Sequence, residues 1–269
     1  MKKPLVILTG PTAVGKTELS IALAKSIDGE IISADSMQVY KYMDIGTDKI
    51  PSSKMEGIKH YLIDIVEPQE EFNVVKFQKY AKEAMKEIYK KGKIPIVVGG
   101  TGFYIQALLY DIDFEETKED LSYRNELEKL GQEKGKEFLH SALEKVDPES
   151  AHNIHPNNVK KIIRALEFNK LTGKKISDHN KEQKEKKSPY NFSYFVLTND
   201  REYLYKRIND RVDKLIEDGL VLEVESLLSM GCTKDMVSMQ GLGYKEIIPY
   251  LEGDYSLEEA VYLLKRDTR

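Results

Sequence analysis

Near the start of the chain lies the stretch Gly10-Pro11-Thr12-Ala13-Val14-Gly15-Lys16-Thr17, which matches the pattern G-x-x-x-x-G-K-[ST]. It follows the apolar run Leu5–Thr9 and precedes an amphipathic segment, so a buried strand leads into the loop and a helix leaves it. In that context, the backbone N–H groups of the loop and of the first helical turn bind phosphate groups. The stretch therefore predicts a P-loop whose eight residues surround a diphosphate.

Two side chains of this loop have roles that the pattern itself predicts. Lys16 places a point charge against the phosphates, and Thr17 offers its hydroxyl to Mg²⁺, the cofactor that a diphosphate brings with it. P-loop NTPases usually hold Mg²⁺ with a further Asp at the end of a buried strand. The corresponding run here, Ile94–Val98, ends in glycines. Asp64 could take the place of that Asp, but it is interpreted more simply as a sheet-edge group or a group that supports a ligand. This pattern argues against a hydrolytic motor or switch.

Short apolar runs alternate with helical patterns in the first part of the chain. The predicted strands are Leu5–Thr9, Glu30–Ala34, His60–Val66, Ile94–Val98 and, after a long gap, Phe192–Leu197. The core-facing stripes of two helices are predicted to be Leu19, Ala22, Leu23 and Ile27, and Phe77, Ala81, Ala84 and Ile88. Strands that alternate with helices imply an α/β fold with a parallel sheet.

Beyond Tyr110 the pattern changes to consecutive helices. Helical spacing runs through Glu119–Gly135, Lys136–Val146 and Asn157–Leu171, with no convincing strand between them. The sequence therefore predicts a P-loop core formed by residues 1–113 and 188–269, into which residues 114–187 are inserted as an α-helical domain.

The composition is that of an ordinary globular enzyme, with 41% hydrophobic and 32% charged residues. The first residues lack the features of a signal peptide, and no run is long enough to span a membrane, so no membrane association is expected. The single cysteine, Cys232, cannot form an internal disulfide, which favours a cytoplasmic protein. Nothing in the sequence indicates an obligate interface, and a monomer is expected.

Charge is distributed unevenly along the chain. The net charge of −4 argues weakly against a nucleic-acid partner. However, Asn157–Lys187 carries 10 basic and 4 acidic residues, whereas Asp111–Ser150 carries 6 basic and 13 acidic residues. The first of these segments is either a basic face for nucleic acid or a solvated helix face followed by a flexible loop at Lys181–Lys187.

Further polar residues follow the predicted strands. Asp35 lies where ligands bind in open α/β sheets, and it can accept a proton from a nucleophile or simply cap a turn. Thr101 lies in the glycine-rich turn after Ile94–Val98, at the same predicted edge or in a plain strand-to-helix turn. Arg207 and Arg211 share a helical face, where a guanidinium can stabilise a departing diphosphate or form a surface ion pair.

A possible metal motif is weak. His152 and His155 have H-x-x-H spacing, but no Cys, Glu or third His supports them at a suitable distance in sequence. Helix capping or nucleic-acid contact at His155-Pro156-Asn157 is the favoured interpretation.

Taken together, these segments resemble the tRNA dimethylallyltransferase family, also called isopentenyl-diphosphate:tRNA transferases. The resemblance runs in order along nearly the whole chain, and a P-loop alone would be generic. The matching segments are Gly10–Thr17, Asp35–Tyr40, Met43–Thr47, Val98–Tyr104, His155–Asn157, Arg164–Glu167, Arg207–Arg211 and Gly241–Tyr244.

The resemblance implies that a dimethylallyl group passes from dimethylallyl diphosphate to the exocyclic N6 amine of the adenosine 3′-adjacent to the anticodon. It implies that Asp35 is the base or hydrogen-bond acceptor for that amine, and that Thr17 with Mg²⁺ and Arg211 stabilise the diphosphate. The helical insertion would bind the anticodon stem-loop. The implied tRNA contacts are Asp35, Ser36, Met37, Gln38, Thr101, Arg124, Lys160, Lys161 and Arg164.

Two other functions are compatible with the loop itself. A small-molecule P-loop kinase would bind ATP in the same cradle, and Asp35 would activate a substrate hydroxyl. A non-catalytic RNA-binding module would keep the cradle without turnover. Substitution of Asp35 would then leave tRNA binding intact.

Overall fold

A computed structural model describes residues 2–114 and 121–269. The chain divides into two compact units. One contains Met1–Leu109 and Ser188–Arg269, and the other contains Tyr110–Lys187. We refer to them as the core unit and the helical unit.

The core unit contains a parallel five-stranded sheet, counted over the described residues. The strands are β1 (Lys3–Thr9), β2 (Gly29–Ser33), β3 (His60–Tyr61), β4 (Ile94–Gly99) and β5 (Tyr190–Val196). Their order in the sheet is β3-β2-β4-β1-β5. The central strand pairs are in register at Val6 with Ile96 and at Ile31 with Ile96. This is the α/β fold that the alternating runs predict.

Helices pack around this sheet because each presents an apolar face to it. In α2 (Val74–Lys90), the predicted stripe of Phe77, Ala81, Ala84 and Ile88 is buried. Asn73 caps this helix by accepting from two backbone N–H groups at 3.1 Å. The core-unit helices are α1 (Lys16–Ser26), α2 (Val74–Lys90), α3 (Gly102–Leu109), α9 (Arg201–Glu217), α10 (Leu220–Ser229), α11 (Tyr244–Glu252) and α12 (Leu257–Thr268).

The helical unit has a separate apolar core. Leu139 and Leu143 pack with Ile162 and Leu166 of a neighbouring helix, and all four are buried. Its described helices are α4 (Leu121–Lys134), α5 (Lys136–Val146), α6 (Pro148–Asn153), α7 (Val159–Thr172) and α8 (Ile176–Glu185).

A buried carboxylate joins two helices of this unit. Asp147 accepts hydrogen bonds from the backbone N–H and hydroxyl of Ser150 at the start of α6, at 3.0 and 2.6 Å. It also accepts from the N–H and hydroxyl of Ser177 in α8, at 3.0 and 2.7 Å. Burial acts to raise the pKa of Asp147, but these four hydrogen bonds outweigh it and lower the pKa below the usual value. The ionised form is therefore the one that holds α6 and α8 together.

Three expectations about local structure are wrong. The strand His60–Val66 ends after Tyr61, because Leu62 and Asp64 take left-handed backbone angles with φ of 63° and 56°. Asp64 is consequently an exposed turn residue that pairs with Lys49, not a sheet-edge group.

The other two errors concern helices. Leu19 and Ala22 of α1 are exposed, because α1 buries Ile21 and Ala24 against the sheet residues Ile31 and Ile96. The flexible loop considered at Lys181–Lys187 is helical as far as Glu185, the last residue of α8. No helix among the described residues is long and apolar enough to cross a bilayer.

Candidate active site

The P-loop connects β1 to α1 and takes a backbone path that needs glycine at two points. Gly10 has φ of 150°, and a Cβ there would lie 2.6 Å from the carbonyl oxygen of Leu197. Gly15, directly before α1, has φ of 95°. Ala13 also takes a left-handed conformation, with φ of 61°. The loop therefore opens its backbone toward a cavity of about 750 Å³.

This cavity is where most of the predicted core-unit site residues meet. It is lined by seven of the eight P-loop residues, with Pro11 as the exception, and by Asp35, Gln38, Arg207 and Arg211. The lining also includes Gly100, but not Thr101. Residues 47–56 contribute the rest of the lining together with α1, so residues from five separate stretches of the chain face one space.

Lys16 lies folded over the loop. Its Nζ donates to the carbonyl oxygens of Gly10 and Pro11, at 2.9 and 2.7 Å. Burial lowers the pKa of Lys16, the neighbouring positive charge of Arg211 lowers it further, and the negative charge of Asp35 partly offsets both. An incoming anion would relieve the repulsion between the two cations, so the cradle is electrostatically suited to a diphosphate.

Arg211 approaches the P-loop from α9. Its Nη1 donates to Thr12 Oγ1 at 2.8 Å, and its Nε lies 3.4 Å from Asp48 Oδ2. Arg207, one turn earlier, lines the same cavity and donates to the hydroxyl of Tyr203 at 3.3 Å. Arg211 therefore forms the ion pair considered for these arginines, with the exposed Asp48, and it also contacts the P-loop through Thr12.

Asp35 follows β2 and is half-buried. Its Oδ1 accepts from the backbone N–H groups of Met37 and Gln38, at 2.8 and 3.2 Å, which fixes the carboxylate in a turn. Among the described residues, none donates a hydrogen bond to Oδ2. The turn role and the acceptor role are therefore compatible, because each uses a different oxygen.

The turn after β4 brings β2 and β4 close together. A Cβ at Gly99 would lie 2.3 Å from the carbonyl oxygen of Ala34, so only glycine fits there. Thr101 donates its N–H to the same carbonyl at 3.2 Å, and its own carbonyl accepts from the N–H of Tyr104 at the start of α3. Thr101 thus serves as the strand-to-helix turn and lies next to the Asp35 segment.

The residues present fit a magnesium ion that arrives with a diphosphate. Thr17 is exposed and lines the same cavity as Asp35. In the described ranges, no group of three or more His, Cys, Asp or Glu side chains could hold a metal by itself. Mg²⁺ commonly binds through one or two protein ligands, with phosphates and water completing its shell. The pair His152 and His155 provides no such site, and His155 Nδ1 accepts from the N–H of Asn157 at 3.1 Å.

Comparison with known proteins gives consistent matches. The IPP transferase family model matches residues 38–269. A tRNA dimethylallyltransferase of Lachnoclostridium phytofermentans is 65% identical over 267 residues, which covers 99% of this chain and 85% of that protein. Its counterpart in Carboxydothermus hydrogenoformans is 54% identical over 269 residues and is covered to 86%. The chain belongs to the tRNA dimethylallyltransferase family.

Solved structures agree with this membership. The full-length tRNA isopentenylpyrophosphate transferase of Bacillus halodurans has a TM-score of 0.72 and 46% identity, with 100% of this chain and 83% of that chain covered. A eukaryotic dimethylallyltransferase acting on tRNA has a TM-score of 0.83 and 33% identity, with 99% and 67% covered. The chain is therefore a prenyltransferase that modifies tRNA, and the small-molecule kinase is excluded.

The predicted RNA contacts in the helical unit of this tRNA dimethylallyltransferase family member differ in whether they are paired with a buried carboxylate. Lys160 and Lys161 are exposed at the start of α7. Arg124 and Arg164 instead share the fully buried carboxylate of Glu167, at 2.8 and 3.3 Å. Arg164 keeps 44% of its side chain exposed, so it can reach a ligand while its position is fixed from inside.

The helical unit also contains a cavity of about 430 Å³, which we call the basic groove. Four cationic side chains and one carboxylate line it: Lys161, Arg164, Lys181, Lys184 and Glu149. The sequence assigned no role to Lys181 or Lys184 individually, although both belong to its basic segment. Their spacing of three places them on one face of α8, but this spacing is informative only if the segment is helical and not a flexible loop.

Proposed function

We propose that this protein transfers the dimethylallyl group of dimethylallyl diphosphate to the N6 amine of the adenosine 3′-adjacent to the anticodon, giving N6-isopentenyladenosine. One observation carries the proposal. The Asp35 carboxylate faces the same cavity as the P-loop, Lys16 and Arg211. The group that would activate the acceptor amine and the loop that would bind the diphosphate therefore line one cavity, as an alkyl transfer from a diphosphate requires.

The P-loop and Arg211 would hold the diphosphate. Backbone N–H groups at the start of α1 and the charges of Lys16 and Arg211 stabilise the negative charge that develops on the leaving oxygen. Mg²⁺ held by the Thr17 hydroxyl would neutralise part of the same charge when bound. Thr12 keeps the guanidinium of Arg211 against the loop.

The transfer step needs little covalent chemistry from the protein. The bond between C1 of the dimethylallyl group and the diphosphate oxygen breaks, and its electron pair leaves with the diphosphate. The N6 lone pair forms the new bond to C1. The N6 proton passes to Asp35 Oδ2, while Oδ1 stays held by Met37 and Gln38.

The helical unit would bind the anticodon stem-loop. Lys160 and the basic groove offer cations to the phosphate backbone, and phosphate contacts of this kind supply affinity without reading sequence. The acceptor adenine must leave its stack to reach a carboxylate in a cavity, as in other enzymes that modify bases. Asp35–Gln38, Thr101 and Arg124 would complete the RNA contacts.

Two further properties belong to the proposal. The protein would act as a monomer in the cytoplasm. Its single cysteine, Cys232, is buried and free, which suits a reducing compartment.

A transfer assay tests the proposed function. The full chain is incubated with Mg²⁺, an anticodon stem-loop RNA and dimethylallyl diphosphate labelled in the alkyl group. The expected result is label in the RNA and N6-isopentenyladenosine among its digested nucleosides. An RNA with guanosine in place of the target adenosine is the control and should stay unlabelled. Label in the control RNA, or none in the substrate RNA, overturns the proposal.

A further inference from the structure

Glu223 of α10 accepts four hydrogen bonds. Three come from the consecutive backbone N–H groups of Asp44, Ile45 and Gly46, at 2.8, 2.7 and 3.0 Å. The fourth comes from the hydroxyl of Tyr244, at 2.7 Å. These loop residues are 177 to 179 positions away from Glu223 in sequence, so the contact joins distant segments of the core unit.

The segment that Glu223 holds, Asp44–Asp48, is tightly built, and we call it the clamp loop. Its backbone turns on bonds from Asp48 N to Ile45 O at 2.9 Å and from Lys49 N to Asp44 O at 3.0 Å. Gly46 lies against the ring of Tyr244, since a Cβ there would be 2.6 Å from the ring. The loop can therefore keep this position only while Tyr244 and Glu223 keep theirs.

Two atoms of the clamp loop reach residues that face the active-site cavity. The carbonyl oxygen of Thr47 accepts from Gln38 Nε2 at 3.2 Å, and the backbone N–H of Gln38 in turn holds Asp35 Oδ1. Asp48 Oδ2 lies 3.4 Å from Arg211 Nε. The loop thus contacts the acceptor side of the cavity through Gln38 and the leaving-group side through Arg211.

We propose that Glu223 is a positioning residue of the transfer reaction, which acts through the clamp loop on Gln38 and Arg211. The inference rests on the proposed function, because it assigns Gln38 and Arg211 to the reacting groups. A carboxylate that accepts from three successive N–H groups fixes the orientation of that backbone segment. Hydrogen bonds to an ionised acceptor are stronger than those to a neutral acceptor.

The surroundings of Tyr244 support this role. Tyr244 is fully buried, and burial followed by the nearby charge of Glu223 raises the pKa of its hydroxyl above the ordinary value. The hydroxyl therefore stays protonated and remains a donor to Glu223. This leaves the carboxylate as the acceptor at the centre of the cluster.

The test compares Glu223→Gln with the matched control Glu225→Gln. Glu225 lies on the same helix but is exposed. A glutamine keeps the shape of Glu223 but replaces one acceptor oxygen with a donor amide, so it cannot satisfy all four donors. Single-turnover transfer is measured at 25 °C with saturating RNA, and the melting temperature of each variant is recorded separately. The proposal predicts a rate at least about tenfold below that of Glu225→Gln.

A double-mutant cycle separates positioning from plain stabilisation. Asp48→Asn should slow transfer. The double variant Asp48→Asn with Glu223→Gln should be slowed by much less than the product of the two single effects, because both substitutions act on Arg211. Fully multiplicative effects, or a Glu223→Gln rate equal to that of the control, overturn the proposal. Should Glu223→Gln not fold, Tyr244→Phe replaces it in the same cycle, since it removes one of the four donors.

The wild-type chain distinguishes the two proposals. If wild type transfers no label, the proposed function fails and the positioning role fails with it. If wild type transfers label and Glu223→Gln does so at the control rate, only the positioning role fails.

Discussion

Arg211 Nη1 donates a hydrogen bond of 2.8 Å to Thr12 Oγ1, although the two residues are 199 positions apart. The contact fixes a guanidinium from α9 at the mouth of the P-loop, where the leaving diphosphate would lie. Burial lowers the pKa of Lys16, and the positive charge of the same guanidinium lowers it further. The leaving-group side of the site is thus assembled from opposite ends of the chain.

Arg211→Ala should lower the single-turnover rate by about 10²-fold, because it removes charge stabilisation that is needed most as the diphosphate departs. Arg211→Lys should recover only part of the loss, since an ammonium cannot reach Thr12 and Asp48 together as a guanidinium does. Lys206→Ala is the matched control, because Lys206 is exposed on the same helix. A wild-type rate for Arg211→Ala would remove this residue from the site.

Asp35→Asn should lower turnover by about two orders of magnitude or more, the usual range for acid–base groups. An asparagine can still accept from Met37 and Gln38 through its oxygen, but it cannot take the amine proton. The dissociation constant for dimethylallyl diphosphate, measured by calorimetry without RNA, should change little. A large loss of donor affinity with unchanged turnover would contradict the assignment.

Thr17→Val should raise the Mg²⁺ concentration needed for half-maximal transfer, because the hydroxyl that would bind the ion is lost. Thr17→Ser keeps a hydroxyl and should resemble wild type. The measurement is the transfer rate over a series of Mg²⁺ concentrations for the three proteins. Identical curves for valine and serine variants would mean that Thr17 holds no metal.

Lys184→Ala should weaken RNA binding and flatten its salt dependence. If Lys184 contacts one phosphate of the anticodon stem-loop, the slope of log K against log salt should fall by roughly 0.7 to 0.9. Lys129→Ala is the control, since Lys129 is an exposed lysine of the same unit outside the basic groove. Equal slopes for the two variants would show that the basic groove does not bind phosphate.

Asp147→Asn should destabilise the helical unit by about 2 kcal/mol, because a buried ionised acceptor of four hydrogen bonds is lost. The pKa of Asp147 is lowered on folding, so its contribution is complete above its unfolded value of 3.8 and is lost as pH falls through the lower folded value. Calorimetric melting of both proteins should therefore show a difference that is constant near neutral pH. That difference should shrink below about pH 4. If the difference in stability between the two proteins grew in acid, the protonated form of Asp147, and not the ionised form, would be the stabilising one.

Local sequence predicts much of this molecule because many of its decisive features are local. Gly10–Thr17 carries its own backbone requirements, and the buried stripe of α2 follows from the spacing of Phe77 to Ile88. The prediction of a strand at His60–Val66 is wrong because the backbone angles of this segment cannot be read from its apolar character. Leu62 and Asp64 adopt left-handed angles, which Leu rarely takes and Asp takes more readily, and such angles interrupt an extended strand.

The contacts that sequence analysis missed join distant parts of the chain. Glu223 has no pattern around it that indicates three N–H donors 177 to 179 residues away. Gly46 and Tyr244 both belong to segments that resemble the family, yet only the structure shows them in contact. Asp48 pairs with Arg211 for the same reason, because the fold and not the spacing brings α9 to the clamp loop.

The central claim is that the P-loop holds the diphosphate of an alkyl donor. It is tested most directly by calorimetric binding of dimethylallyl diphosphate with Mg²⁺ to wild type and to Lys16→Met, with ATP titrated in parallel. The account predicts that the donor binds wild type more tightly than ATP and that Lys16→Met loses about tenfold or more in donor affinity, as expected for a charge-assisted contact. Tighter binding of ATP, together with unchanged donor affinity in Lys16→Met, would contradict it.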